Sequence, residues 1–369
     1  MRTHRLPYHA HKRARGLRIS VALATTAVVG LVTACSSSTQ NASGTDSTQS
    51  FSGKTIQLIS SGAAGSSHDL LARALAPYIA KYLHATVDVV DMPGGGQLLA
   101  WNYVSSHQPD GLTIGTIDVE GVLANLWEKV PNQKVNPATL TMLGGGAGGV
   151  TGESEVMFAA NSANPAFSSV YSLATDRSTK VLELGSVGDV PGPLFFQLFH
   201  VPYKDLSSYS DSSSELQGML RGDGNVDVKS WAGSWASYVT SGKGRVLLSF
   251  SMRPTWQQDP SVPTVAQLLK RDPITGPGKA ALVADSTALD AGVALFGPPG
   301  MSQGTAAMLR RAVAYAYTQP GFMKNAQNAG LSTTYESYSA EASAITAGMQ
   351  NQVIKDIREF VPLSTGVAS

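Results

Sequence analysis

From residue 54 onward the chain keeps repeating one local grammar. A short apolar run empties into a stretch of small residues, and that stretch opens an amphipathic helix. Residues 54–59 (Lys-Thr-Ile-Gln-Leu-Ile) read as a strand, 60–67 as the small-residue loop and 69–83 as the helix. In that helix Leu70, Leu71, Ala74, Leu75, Tyr78, Ile79 and Tyr82 recur at helical spacing. Asp69 falls in its first turn, where the helix dipole favours an acid. A strand at 86–90, a turn at 92–96, a helix over about 97–106, a Gln-Pro-Asp-Gly turn and a strand at 112–117 follow. Strand–helix–strand–helix–strand predicts a parallel α/β sheet. The middle of the chain begins again with a strand at 181–184, a small-residue loop at 185–192 and a helix at 193–199. Strands at 226–228 and 245–249 come next, then turns from about 254, a strand at 291–296 and helices at 303–318, 321–329 and 340–360. No repeat of 20–50 residues is visible, which argues against a solenoid.

The N-terminal residues follow a distinct pattern. Arg2, Arg5, Lys12, Arg13, Arg15 and Arg18 come with no acid, and an apolar run over 19–34 follows that is too short to span a bilayer comfortably. It ends in Leu31-Val32-Thr33-Ala34-Cys35, small residues before the only cysteine of the chain. The pattern is that of a lipobox, with Cys35 acylated as the new N-terminus; the plain alternative is an ordinary signal peptide that happens to contain a cysteine. Residues 35–53 are rich in Ser, Thr, Gln, Asn and Gly and read as a flexible tether. Of the 27 basic residues six precede Cys35 and 21 remain, against 26 acids, so the mature chain carries −5. That balance argues against a nucleic-acid partner. With no cysteine left to pair, stability comes from packing, and some 335 residues suffice for two domains.

Several motifs carry or exclude chemistry. The run from Ser60 to Asp69 brings unpaired helix-start amides and small side chains together, a setting that suits an anion; the alternative is a tight turn capped by Ser and Asp. Residues 144–149 (Gly-Gly-Gly-Ala-Gly-Gly) formally satisfy G-x-G-x-x-G, but 150–155 is a poor helix start. The tract is read as a flexible segment between lobes, with no dinucleotide site. Gly242-Lys243 and Gly278-Lys279 lack the remainder of a P-loop, and no G-x-S-x-G elbow is present. His68, His84, His107 and His200 show no metal-ligand spacing. His68 is singled out because its loop should face a cleft, where it would donate to an anion or point to water. Trp231 and Trp235 either floor a pocket or pack in the core, with packing favoured for Trp235.

Taken in order, six pieces of the chain resemble one family, the substrate-binding proteins of tripartite tricarboxylate transporters, also called Bug receptors. Its opening Ala/Gly-rich loop, Asp and Leu-Ala-Arg helix are matched by Gly62-Ala63-Ala64-Gly65-Ser66-Ser67-His68-Asp69-Leu70-Leu71-Ala72-Arg73. Val90-Asp91-Met92-Pro93-Gly94-Gly95-Gly96 is similar to its Pro-Gly turn, and Pro109-Asp110-Gly111-Leu112-Thr113 to its Pro-Asp-Gly-Tyr-Thr segment. Val201-Pro202-Tyr203-Lys204, Asp259-Pro260-Ser261-Val262-Pro263-Thr264-Val265 and Phe296-Gly297-Pro298-Pro299-Gly300 resemble three further signatures.

The resemblance implies a type II periplasmic-binding-protein fold: two α/β lobes joined by a hinge, closing on a ligand. The lobes are expected at 54–152 plus 254–369 and at 153–253, after a signal peptide at 1–34. By motif position, Ser60, Ser61, Gly62, Ala64, Gly65, Ser66, Ser67, His68 and Asp69, with Thr116 and Asp118, would line one lobe. Ser186, Val187, Gly188 and Asp189, with Lys229, Ser230 and Trp231, would line the other. The implied partners are a small organic acid or amino-acid-like ligand, membrane permease subunits and the membrane itself through the lipid anchor. A monomer that needs no metal or cofactor and catalyses nothing is expected on the extracytoplasmic face. The departures concern charge. Ser66 replaces a glycine, Asp91 an Asn, and Asp118, Glu120 and Asp189 put acids beside a presumed anion site, so that an amide, amino-acid or cationic ligand stays open. A sensory receptor for a membrane signalling protein is the alternative role, and a secreted hydrolase a third.

Overall fold

The computed structural model describes residues 50–148, 155–163, 165–175, 181–184, 190–206, 209, 212–231, 233–272 and 275–361. The signal segment, Cys35, most of the expected tether and the expected site residues Ser186, Val187, Gly188 and Asp189 lie outside the described residues. Phe51, placed in the tether by its neighbours' composition, is instead buried against Ile56, Leu58 and Leu309 in the core.

The first third of the chain alternates as expected: β1 (Thr55–Ser60), α1 (Ser67–Leu83), β2 (Thr86–Asp91), α2 (Leu98–Ser105), β3 (Thr113–Asp118), α3 (Val119–Trp127) and β4 (Thr141–Gly146). The chain then leaves for β5 (Glu155–Ala160), α4 (Val170–Thr175), β6 (Val181–Leu184), α5 (Pro191–Leu198), β7 (Tyr203–Leu206), α6 (Ser212–Arg221), β8 (Val226–Ser230), α7 (Gly233–Thr240) and β9 (Gly244–Ser249). It returns through α8 (Val265–Arg271), α9 (Pro277–Ala291), β10 (Val293–Gly297), α10 (Gln303–Ala316), α11 (Pro320–Asn328), β11 (Tyr335–Glu336), α12 (Tyr338–Gly348) and α13 (Asn351–Phe360).

Two sheets result, ordered β11-β4-β10-β3-β1-β2 and β7-β6-β8-β5-β9. β1 lies parallel between β2 and β3, with Leu58 opposite Val89 and Ile114. The strands expected at 54–59, 86–90 and 112–117 are parallel as anticipated, and β10, from the later part of the chain, inserts antiparallel between β3 and β4 with Leu295 opposite Thr116 and Gly144. The physical reason is connectivity: β10 enters the first sheet from α9, after the excursion through the second sheet, and no longer follows a crossover helix of its own sheet. β5 is likewise antiparallel to β8 and β9.

The glycine tract also departs from expectation. Gly144, Gly145 and Gly146 form part of β4, buried between β10 and β11, rather than a flexible segment between lobes. A Cβ on Gly145 would stand 2.3 Å from the Val293 carbonyl oxygen. The glycines admit the neighbouring strand at close range, a reason for glycine in a strand interior. The single long helix expected over 340–360 is two, parted at Met349 and Gln350. The Gly348 carbonyl is turned to the Trp127 indole N–H, which donates to it at 2.9 Å.

One apolar cluster joins the sheets. It runs from Trp101, Val122 and Trp127 in the first half through Leu282 and Ala288 of α9 to Phe195, Phe196 and Val228 in the second. Trp235, packed on Phe158 at 4.9 Å, belongs to a separate cluster of the second sheet.

Candidate ligand cleft

The loop that opens α1 is folded into its own hydrogen bonds. Ser66 caps the helix by accepting the Asp69 N–H at 3.3 Å, and the Asp69 carboxylate takes the Gly65 N–H at 2.8 Å. Arg73 reaches back to Asp69 at 2.5 Å and across to Asp91 at 2.8 Å, tying α1 to the end of β2. Burial works to raise the Asp69 carboxyl; the Gly65 amide, Asp91 and Arg73 outweigh it and hold it below the usual range.

Behind this loop the ends of β1 and β3 are knotted together. The Ser61 N–H donates to Thr116 Oγ1 at 2.9 Å, and the Ser61 hydroxyl donates to Gln97 Oε1 at 2.7 Å with Thr116 Oγ1 3.1 Å away. Ser60 Oγ donates to the Gly62 carbonyl at 3.1 Å. Gln97 is held in the left-handed region at φ +69°, unusual for a side chain of its size, after Gly94, Gly95 and Gly96, all at positive φ. The Pro-Gly turn thus swings Gln97 to where its carbonyl caps the Ser61 hydroxyl. Among the described residues its amide nitrogen has no partner.

In front of Gln97 opens a cleft of about 230 Å³ between the two sheets. From the first half it is lined by Gly96, Gln97, Trp101, Asp118, Glu120 and Asn125; from the second by Glu155, Pro191, Val228 and Lys229. Leu289 of α9 contributes from the linking helix. Of the residues singled out from sequence, Asp118 and Lys229 stand in this lining and face it from opposite sheets. Ser60 to Asp69 and Thr116 are not part of the lining. Ser230 donates to Glu155 at 2.5 Å, next to the cleft. Trp231 stacks on Phe158 and lines a different cavity with Trp256.

Gln97, Asn125 and Glu155 were not anticipated. The signal for Gln97 was the glycine run before it. Glu155 had none, because it opens a strand that the sequence pattern did not suggest.

No protein-family model and no curated protein sequence matches the chain. Solved structures do match in fold. A TctC solute-binding protein from Polaromonas, solved without ligand, is 17% identical over 84% of this chain and 97% of its own, with a TM-score of 0.62. MatC from Rhodopseudomonas palustris, solved with bound malate, is 18% identical over 82% and 99%, with a TM-score of 0.59. A second R. palustris protein, solved with adipate, is 16% identical over 84% and 97%, also at 0.59. The chain has the type II periplasmic-binding-protein fold.

In a periplasmic-binding-protein fold, as in any open α/β sheet, ligand sites form beyond the carboxyl ends of the strands. Asp118 closes β3 and Lys229 lies one residue from the end of β8, so the cleft occupies that position. Its electrostatics are asymmetric. The Lys229 ammonium is engaged at 3.2 Å by Glu215, whose side chain is fully buried. Asp118 caps α3 by accepting the Gly121 N–H at 3.3 Å. Burial pushes the Asp118 carboxyl above its ordinary value, against the pull of His68 and of the Gly121 and Glu120 amides. Burial lowers the basicity of His68, with Asp118 opposing, and among the described residues His68 Nε2 has no hydrogen-bond partner. Among the described residues no group of acids, histidines or cysteines could hold a metal ion, and no helix is long and apolar enough to cross a membrane.

Proposed function

We propose that this chain is an extracytoplasmic solute-binding protein of the tripartite tricarboxylate transporter type. It captures a small organic acid or similar polar metabolite and passes it to membrane permease subunits, without catalysis. Lobe 1 comprises 54–152 and 254–369, lobe 2 comprises 153–253, and the two close about the segments that join the sheets. Acylated Cys35 holds the protein at the membrane, and the residues after it let the folded part stand away from the lipid.

The observation that carries this reading is the cleft: polar side chains of both sheets, Asp118, Gln97 and Asn125 on one side and Lys229 and Glu155 on the other, converge on one small space. That space is sized for a metabolite rather than a macromolecule. The neighbours solved with malate and adipate support the ligand size and the setting.

A ligand that binds only the folded form raises stability by about 2.7 kcal/mol at a hundredfold excess over its Kd. A thermal-denaturation screen of organic acids, amino acids and amines should therefore find compounds that raise the melting temperature by several degrees. A flat response across all three classes would contradict the reading. Cys35→Ala is expected to move the protein from the membrane fraction to the medium, since the acyl chains supply the membrane affinity; retention on the membrane would refute the anchor.

A further inference from the structure

Gln97 is held in a way that the fold alone does not need. It stands at the N-cap of α2, yet its side chain makes no capping hydrogen bond. Its backbone sits at φ +69°, a region that suits glycine far better than glutamine. Gly94, Gly95 and Gly96 precede it at positive φ, and one more glycine would complete the turn without strain. The side chain stands instead in the cleft lining, beside Trp101, Asp118 and Asn125. Outliers of this kind cluster where a binding group has to be aimed.

The Gln97 amide is also oriented. Ser61 and Thr116, behind it, are buried. Thr116 Oγ1 accepts the Ser61 N–H at 2.9 Å, and the Ser61 hydroxyl spends its one proton on Gln97 Oε1 at 2.7 Å. In the 3.1 Å pair between the two hydroxyls, Thr116 is therefore the donor. Turning the amide over would make Gln97 the donor to Ser61 and Ser61 the donor to Thr116. The buried Thr116 proton would then have no acceptor among the described residues. The chain from Thr116 through Ser61 thus holds Oε1 inward and leaves Nε2, with both its hydrogens, to the cleft. The donors beside it are turned elsewhere: the Trp101 indole N–H to the Thr116 carbonyl at 3.2 Å, and Asn125 Nδ2 to the Gly96 carbonyl at 3.5 Å. Burial pushes Asp118 toward its neutral form, which softens its repulsion of an ionised oxygen at this wall.

Resting on the binding-protein reading above, we propose that Gln97 determines which ligands the cleft accepts: its Nε2 donates to a carboxylate or amide-carbonyl oxygen of the bound metabolite, with Ser61 and Thr116 as positioning residues. A compound with no acceptor oxygen leaves this amide desolvated and unpaired, and is rejected for that reason.

Calorimetric titration of the full-length protein with malate, adipate, adipamide and hexane-1,6-diamine tests this, together with thermal denaturation of each variant without ligand. At least one of the three oxygen-bearing compounds is expected to bind, and the diamine is not; adipate against adipamide tells an ionised oxygen from a neutral one. In Gln97→Gly the affinity is expected to fall about tenfold or more, while the melting temperature holds or rises because the strained conformation is relieved. Gln97→Glu keeps the shape and replaces the N–H2 with an oxygen, and should lose at least as much. Thr116→Val, which frees the amide to turn, should weaken binding about threefold or more, and Thr116→Ser, which keeps the hydroxyl, should bind as the parent chain does. A melting temperature lowered in Gln97→Gly with affinity unchanged would mark Gln97 as a structural strut, overturning the proposal while the binding-protein reading stands. Binding of the diamine as tightly as the oxygen-bearing compounds would overturn it as well. If none of the four compounds binds, the proposal falls, and the thermal screen of the wider panel decides the binding-protein reading separately.

Discussion

Asp285 lies in the middle of α9, fully buried, and among the described residues neither of its carboxylate oxygens has a hydrogen-bond partner. Desolvation pushes its carboxyl up to about 8, and the charge of Glu155 adds in the same direction. Its ordinary value is 3.8, so between about pH 4 and pH 8 the folded state keeps a proton that the unfolded state has released. This group's contribution is complete below that window, declines as pH rises through it and is gone above the folded value. Asp285→Asn cannot titrate. It is expected to flatten the decline of unfolding free energy between pH 5 and pH 8, and to raise stability at pH 8 by more than about 1 kcal/mol. Urea denaturation at three pH values measures it, and an unchanged pH slope would contradict the assignment. Single residues of this kind were not legible in advance. Asp285 sits in a stretch with no strong pattern, and only burial makes it unusual. Asp118 and Lys229, expected from motif position in the resemblance, stand in the cleft lining. The serines at 60, 61, 66 and 67 were equally visible as small polar residues. The structure shows that Ser60, Ser61 and Ser66 spend hydrogen bonds on Gly62, Thr116, Gln97 and Asp69, which no local pattern discloses.

At the scale of elements, regular periodicity was read correctly and close packing was not. α1 has a helical stripe, a serine cap and an acid in its first turn, so its sequence and its structure agree within two residues at the start. β4 is the opposite case. A run of glycines has no propensity for a strand and takes its structure from β10 and β11, whose backbones need the space. Gly145→Ala should therefore destabilise the protein by about 2–3 kcal/mol, since the added methyl meets the rigid Val293 backbone and cannot be relieved by a side-chain rotation. The shift of the urea midpoint reads this, and a change below about 0.5 kcal/mol would mean that β4 moves aside freely. The division of the expected 340–360 helix has the same origin. An indole from α3 claims a carbonyl more than 200 residues away, a contact that helical spacing cannot reveal.

Across the whole molecule, the two-sheet plan follows from the grammar of the sequence, while the return of 254–369 to the first lobe was expected only through the family resemblance. Strand, small-residue loop and helix recur in both halves, so an α/β architecture with two sheets was implied. That the chain would return through α9 and thread β10 antiparallel into the first sheet depends on long-range pairing. The return has a functional consequence. It joins the halves twice, through the β4–β5 and β9–β10 connections, and it places α9 beside the cleft, with Leu289 in the lining and Asp285 one turn away. Everything proposed for this protein depends on a small molecule being gripped by both halves at once. The most direct measurement is a crystal structure of the protein with a compound that raises its melting temperature. The account predicts that compound between the two sheets, touching Asp118 or Gln97 on one side and Glu155 or Lys229 on the other. A bound compound that touches only one half, or lies outside this space, would contradict it.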